Sequence, residues 1–211
     1  MSADAQRYWE EKASAVTFTH PQDPSWLAEL PKRARILDYG CGYGRTVREL
    51  VQLGWARTVG VDFSRAMVAR GKAADPVLDL RQVQSARLDE PDGAFDGVIL
   101  FAVLTAIPDD GEQRAVIDEL RRLLRAGGLV YLSDYLLQTD ARNLARYEAG
   151  LRRHGVYGVW DRDDGGVFRH HTRARLEELL EGFDTVAERA VATTTFSGAP
   201  ATAIQLLARR R

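Results

Sequence analysis

Two groups of residues in this chain have the types and spacing that chemistry needs. The first is Ile36-Leu-Asp-Tyr-Gly-Cys-Gly-Tyr-Gly-Arg45, in which an acidic residue, Asp38, precedes glycines at 40, 42 and 44. Glycine lets a backbone turn sharply and come close to a bound molecule, so the run reads as a ligand-cradling loop. A dinucleotide site would need the pattern G-x-G-x-x-G/A to seat a pyrophosphate on the following helix. Counted from Gly40 the third position is Arg45, whose long charged side chain suits tight helix packing poorly. Cys41, inside the loop, reads as a small filler or as a nucleophile. The second group is Phe168-Arg-His-His171, close to Tyr157-Gly-Val-Trp160. His170 and His171 are general-base candidates, because histidine changes charge nearest physiological pH. On the alternative reading one of them caps the next helix and the other is solvated. His20 and His154 read as surface residues.

The elements that must position these groups alternate. Arg35-Ile-Leu-Asp38 predicts a first strand, Thr46 to Leu53 a helix, and Thr58-Val-Gly-Val61 a second strand. Ser64 to Lys72 then reads as a helix capped by Ser64, and Leu78 to Val83 as a third strand. Phe95 to Leu104, almost continuously apolar, suits a central strand covered on both faces. Asp110 to Leu124 is an amphipathic helix ended by Gly127-Gly128, and Leu129-Val-Tyr-Leu132 a fifth strand. This order predicts an α/β sandwich on a mostly parallel sheet. Thr139 to His154 reads as a charged helix and Gly155 to Phe168 as a long functional or mobile loop. A helix capped by Thr172 runs to Leu180, and stretches near 190–196 and 203–208 close the chain as an antiparallel pair. Residues 1 to 30, broken by Pro21, Pro24 and Pro31, read as helical or irregular pieces before the sheet.

Composition narrows the classes of function. The 211 residues suit one domain. The 29 Lys+Arg against 30 Asp+Glu give a formal charge of −1, which argues against an electrostatically driven nucleic-acid binder. A single cysteine allows neither an internal disulfide nor a Cys-rich zinc site, and no metal is expected. The longest uncharged apolar stretch, Val98 to Ile107, is far shorter than the ~20 residues that span a bilayer. Asp4, Arg7 and Glu10 stand where a signal peptide would be apolar. A cytoplasmic protein is expected, a monomer or homodimer with neither nucleic acid nor membrane as partner.

The loop's acidic-x-Gly-x-Gly-x-Gly pattern at Asp38, Gly40, Gly42 and Gly44 resembles the first motif of the class I S-adenosylmethionine-dependent methyltransferases. Val59-Gly-Val-Asp-Phe-Ser64 resembles their second motif, in which an acid ending strand two accepts from both ribose hydroxyls. Asp62 is the match, and a carboxylate suits that task because it is an acceptor only. As an alternative, Asp62 is a helix N-terminal charge favoured by the macrodipole. Asp92-Gly-Ala-Phe-Asp-Gly-Val-Ile99 and Leu120-Arg-Arg-Leu-Leu-Arg-Ala-Gly-Gly-Leu129 resemble the family's fourth strand and the turn before its fifth. The resemblance implies a Rossmann-like, doubly wound, mostly parallel seven-stranded sheet with an antiparallel C-terminal strand pair. It extends to a bacterial small-molecule subgroup of the type 11 and type 25 kind, with comparable Asn-Leu-x-Arg-Tyr, Tyr-Gly-Val and Arg-His-His runs. That subgroup places Asn143, Tyr147, Tyr157, His170 and His171 together as a set to test.

The resemblance also implies roles for single residues. Phe63 and Met67 contact adenine or belong to the core. Gln84 stands where relatives carry an adenine-binding acid, and Ser85 and Ala86 follow it, with a backbone amide available to adenine. Phe101 meets the methionine part of the cofactor or packs in the core. Tyr8 and Trp9 lie on an N-terminal helix that in similar enzymes closes over the cofactor, or they anchor the core. Asp134 and Tyr135 reach the acceptor, unless Asp134 holds the strand end. The expected organisation is one methyltransferase domain with an N-terminal lid segment (1–30), a cofactor-binding core (35–135), acceptor-side helices and loop (136–190) and terminal strands (190–209). The expected reaction is in-line methyl transfer to a small molecule, S-adenosylmethionine becoming S-adenosylhomocysteine. Alternatives are an NAD-linked oxidoreductase and a non-catalytic S-adenosylmethionine-binding protein.

Overall fold

The computed structural model describes residues 3–211, so the first two residues of the expected lid segment lie outside the described residues. Strands β1 (Ile36–Tyr39) and β2 (Thr58–Asp62) are buried along their whole length, as short apolar strands covered on both faces must be. β3 (Asp79–Gln82) stands at the sheet edge and buries only Leu80. β4 (Phe95–Phe101) and β5 (Leu124–Tyr135) lie on the other side of β1. A two-stranded sheet, β6 (Val159–Asp161) with β7 (Val167–Arg169), stands apart, and β8 (Phe183–Thr194) and β9 (Pro200–Arg210) complete the main sheet. Its order is β3-β2-β1-β4-β5-β9-β8, parallel through the first five and antiparallel at β9 and β8.

Strand order reverses between β1 and β4, and in an open α/β sheet the crevice at such a switch point, beyond the strands' carboxyl ends, is where ligands bind. The pleat sorts the core. Ile36, Ile99 and Tyr131 point to one face with Leu27, Leu30 and Trp55, and Leu37, Val98, Leu100 and Leu132 point to the other with Leu120 and Leu123. Helices α1 (Ala3–Lys12), α2 (Arg45–Gln52), α3 (Arg65–Ala74), α4 (Asp110–Leu123), α5 (Ala141–His154) and α6 (Arg173–Leu179) connect or cover the strands. Side-chain caps start four of them. Ser64 Oγ accepts from the Met67 amide at 3.2 Å and Thr172 Oγ1 from that of Arg175 at 3.1 Å, both as expected, and Asp109 and Asp140 cap α4 and α5. No described helix is long and apolar enough to cross a membrane.

Four expectations change. The apolar run from Phe95 stops being a strand at Phe101, because Ala102 turns to φ 54° and a 3₁₀ turn follows at Leu104–Ala106. α4 ends at Leu123 rather than at Gly127-Gly128. The chain passes straight into β5, and Gly127, at φ 72°, sits in its irregular start. The segment from 155 to 168 is no unstructured loop, since it holds β6 and the start of β7, strands of three residues that are too short to show a period. Strand β8 begins at Phe183, well before residue 190, as an edge strand whose outer positions carry Asp184 and Glu188.

Candidate active site

β1 delivers the chain into the glycine loop, where Gly40, Gly42 and Gly44 adopt φ of 77°, 55° and 78°. The Gly42 amide donates to Asp62 Oδ2 and the Ser64 amide to Asp62 Oδ1, both at 2.8 Å, so each carboxylate oxygen is oriented and keeps further acceptor capacity. Burial pushes Asp62 up to about 6 against the pull of those two amides. Asp38, at the end of β1, lines the same cavity and is 3% exposed. Among the described residues no amide or side chain donates to its carboxylate, and burial pushes it up to about 7 although Arg45 opposes the shift. The Cys41 thiol is raised well above its usual range by burial and donates to the Gly42 carbonyl, which makes it a filler. Gly44 turns away from the cavity. A Cβ there would lie 2.8 Å from Leu80, so this glycine lets α2 close on β3.

Phe63, Met67, Gln84, Ser85 and Ala86 line one end of the cavity, and the Tyr39 hydroxyl donates to the Ala86 carbonyl at 3.0 Å, holding that turn. Phe101 lines the middle, its ring edge-on to Tyr131 at 4.7 Å. The N-terminal segment roofs the cavity with Trp9 and Phe18 and is bolted down at several points. The Glu10 carboxylate accepts from the amides of Arg65 (2.5 Å) and Ala66 (2.9 Å), supplying the N-terminus of α3 with an anion. Arg70 donates to the carbonyls of Ala13 and Val16, and Phe18 stacks on Tyr43 at 5.2 Å. Of the expected lid pair only Trp9 reaches the cavity. Tyr8 faces Phe168 at 5.6 Å and donates to Asp164, its phenol pushed up to about 12 by burial.

The other end is aromatic. A line of ring contacts runs from Phe101 through His20, Tyr135 and His170 to Trp160. His170 is placed there because the chain after β7 pairs with the end of β5, the His171 amide donating to the Tyr135 carbonyl at 3.0 Å. His170 Nδ1 lies 2.6 Å from the Tyr147 hydroxyl, and burial, reinforced by Arg146, pushes the imidazole down to about 3. Asn143 and Tyr147 join this cluster, and Tyr157 flanks Tyr147 at 5.6 Å from the surface. His171 points the opposite way, into the body of the protein. Gln113 Nε2 contacts its Nε2 at 2.8 Å, and Nδ1 lies 3.6 Å from Asp134. Asp134 holds the strand end, accepting from the Thr105 amide, while Tyr135 lines the cavity.

Sequence reasoning missed His20. It is no surface residue but 4% exposed in the cavity wall, with Nδ1 3.0 Å from Ser133 Oγ and Nε2 buried without a partner. Burial pushes it down to about 4. The one signal near it was the aromatic Phe18 two positions earlier, in a stretch already marked irregular by Pro21. His154, also expected at the surface, is partly covered and lies 2.9 Å from Asp161.

Residues 8–187 match the model of the methyltransferase domain family. The chain belongs to that family. Among curated relatives, a phosphatidylethanolamine N-methyltransferase of Cereibacter sphaeroides is 29% identical over 59% of this chain and 65% of its own length. The 27-O-demethylrifamycin SV methyltransferase of Amycolatopsis mediterranei is 27% identical over 87% of this chain and 76% of its own length. Among solved structures, a SAM-dependent methyltransferase of Methanosarcina mazei superposes with a TM-score of 0.81 at 21% identity, over 90% of this chain and 98% of that one. It shows the same methyltransferase fold. The family match and these relatives give the oxidoreductase alternative no support.

Proposed function

We propose that this methyltransferase domain transfers the methyl group of S-adenosylmethionine to a small molecule bound at the aromatic end of the cavity. The observation that carries the proposal is the pair of acids at the switch point. Asp38 is a buried carboxylate with no donor among the described residues, and Asp62 is held by two amides with acceptor capacity to spare. Such a donor-poor, acidic end fits a cofactor that brings an ammonium group and two ribose hydroxyls. Asp38 and the Gly40–Gly42 turn would hold the methionine portion beside Phe101, Asp62 the ribose, and Phe63, Met67, Ser85 and Ala86 the adenine. Cys41 shapes the turn from within, and Gly44 and Tyr8 support from behind. When bound, the cofactor supplies a methyl group on a positive sulfur, whose departure needs no acid.

The protein's own task is then to position the acceptor and remove its proton. His170 has the protonation state for that. We assign the 2.6 Å contact as His170 Nδ1–H donating to the Tyr147 hydroxyl, which also accepts the Gln138 amide at 3.2 Å. This assignment, made from the hydrogen-bond network, leaves Nε2 unprotonated as the acceptor. His171, buried against Gln113, orients the strand end instead of reaching the acceptor. The domain works as one unit in the cytoplasm, with the segment from Gln6 to Thr19 serving as its roof. A small acceptor also accords with the rifamycin-modifying relative. Calorimetry with S-adenosylmethionine and S-adenosylhomocysteine tests the reading. Binding that weakens in Asp62→Ala is expected, and no binding at millimolar cofactor, or unchanged binding in that variant, overturns it.

A further inference from the structure

Resting on that reading, we propose that the acceptor is an organic acid, its oxyanion received by Arg146 and Trp160 at the end of the cavity opposite the two aspartates. Both residues line the cavity, with Arg146 Cζ 3.4 Å from the centroid of the Trp160 ring, a stacked cation–π pair. Two donors in this pair are buried without partners among the described residues, Arg146 Nε and Trp160 Nε1, and Trp160 is 8% exposed. Unpartnered buried donors are costly, and the group that satisfies them must be an acceptor. The charge agrees. The other partly buried arginines at the cavity are neutralised, Arg45 by Glu49 at 2.9 Å and Arg162 by Asp164 at 3.0 Å, whereas no carboxylate lies within ion-pair distance of Arg146 among the described residues. Arg142, one turn earlier on α5, also borders the cavity from an exposed position and forms no ion pair among the described residues, so two like charges stand at i and i+4.

The cavity thus sets its two buried aspartates toward the cofactor's cation and Arg146 toward the acceptor. Tyr135, Phe168 and Phe196 wall the space beside the arginine, so the acid's body is flat and apolar. The arrangement also bears on His170, whose basicity Arg146 depresses. An anion seated on the guanidinium cancels that effect where the acceptor's proton must leave.

The test is a set of matched probes. Benzoate, phenylacetate and 2-naphthoate, each with its primary amide, are titrated calorimetrically into the full chain with and without S-adenosylhomocysteine. At least one acid is expected to bind about 10- to 100-fold more tightly than its amide, the value of one charge-assisted hydrogen bond. Arg146→Met abolishes that ratio, Arg146→Lys keeps part of it, and Trp160→Phe, which retains the ring and loses the N–H, lowers it severalfold. Equal binding of every acid and amide, or a preference that survives in Arg146→Met, overturns the proposal. Cofactor affinity is read in the same titrations, so a failure of the methyltransferase reading appears as absent S-adenosylhomocysteine binding and is distinguishable from a failure of acid recognition.

Discussion

Tyr147→Phe removes a single oxygen that holds His170 Nδ1 at 2.6 Å and receives the Gln138 amide at 3.2 Å. Two consequences follow from that geometry. The Gln138 amide loses its acceptor, and the unmet donor costs about 1–3 kcal/mol, which lowers the Tm of a domain this size by roughly 3–10 °C. His170 escapes the same penalty by moving its proton from Nδ1 to Nε2. It then presents a donor where a base is needed, and the tautomer required for proton removal becomes unfavourable by a comparable ~1–3 kcal/mol. That corresponds to a loss of about 10- to 100-fold in kcat/KM with cofactor affinity retained. The tautomer is readable without any acceptor, from long-range ¹H–¹⁵N correlations of the chain's four histidines, with His170→Gln assigning the signal. In the wild type His170 is neutral with the proton on Nδ1 and does not titrate between pH 5 and 8, since burial holds it near 3. In Tyr147→Phe the Nε2–H form appears. A wild-type His170 already protonated on Nε2, or a variant whose tautomer is unchanged while its stability falls, would refute the reasoning and leave Tyr147 a packing residue.

Other substitutions test other parts of the site. Asp62→Asn keeps the shape but removes the charge behind its acceptor bonds, and S-adenosylhomocysteine affinity measured by calorimetry should drop by roughly 10- to 100-fold. Gly42→Ala forces a Cβ onto φ 55° and to 2.4 Å from the Phe18 ring, so both Tm and cofactor affinity should fall, with at least ~1 kcal/mol lost to the left-handed backbone alone. Asp38 ionises near 7 when folded and near 4 when unfolded, so the folded state holds the extra proton and stability declines as pH rises through that interval. Asp38→Asn should therefore raise Tm more at pH 8 than at pH 5, by thermal denaturation, while weakening cofactor binding. The same substitution that helps the fold would then harm the site.

The glycine-loop end of the cavity, the proposed cofactor end, was legible in the sequence because its determinants are local. Left-handed turns demand glycine at 40, 42 and 44, a cap demands Ser64, and the acid that ends β2 is two residues from it. The acceptor end was less legible, for reasons of geometry. His170 and His171 are neighbours in extended chain, where successive side chains point to opposite sides, so one meets the cavity and the other Gln113. Composition alone cannot say which. Tyr8 and Trp9 pose the same problem on a helix, about 100° apart. His20 acquires its role from Ser133, a partner 113 positions away, and Arg146 from a ring on a three-residue strand. Such roles exist only after the sheet has formed.

The place of β9 between β5 and β8 sets a clock on synthesis. β5 is complete at Tyr135, yet its outer edge is paired by residues that begin at Ala203, 68 positions later. At a translation rate of roughly 5–20 residues per second, the edge stays open for about 3–14 s. Throughout that interval Leu129-Val-Tyr-Leu132, wholly buried in the finished fold, offers unpaired amides and carbonyls to any neighbouring chain. The hazard of aggregation for this protein therefore belongs to the nascent polypeptide, and slow synthesis past Tyr135, more than heat applied to the folded molecule, is the condition under which it should be lost.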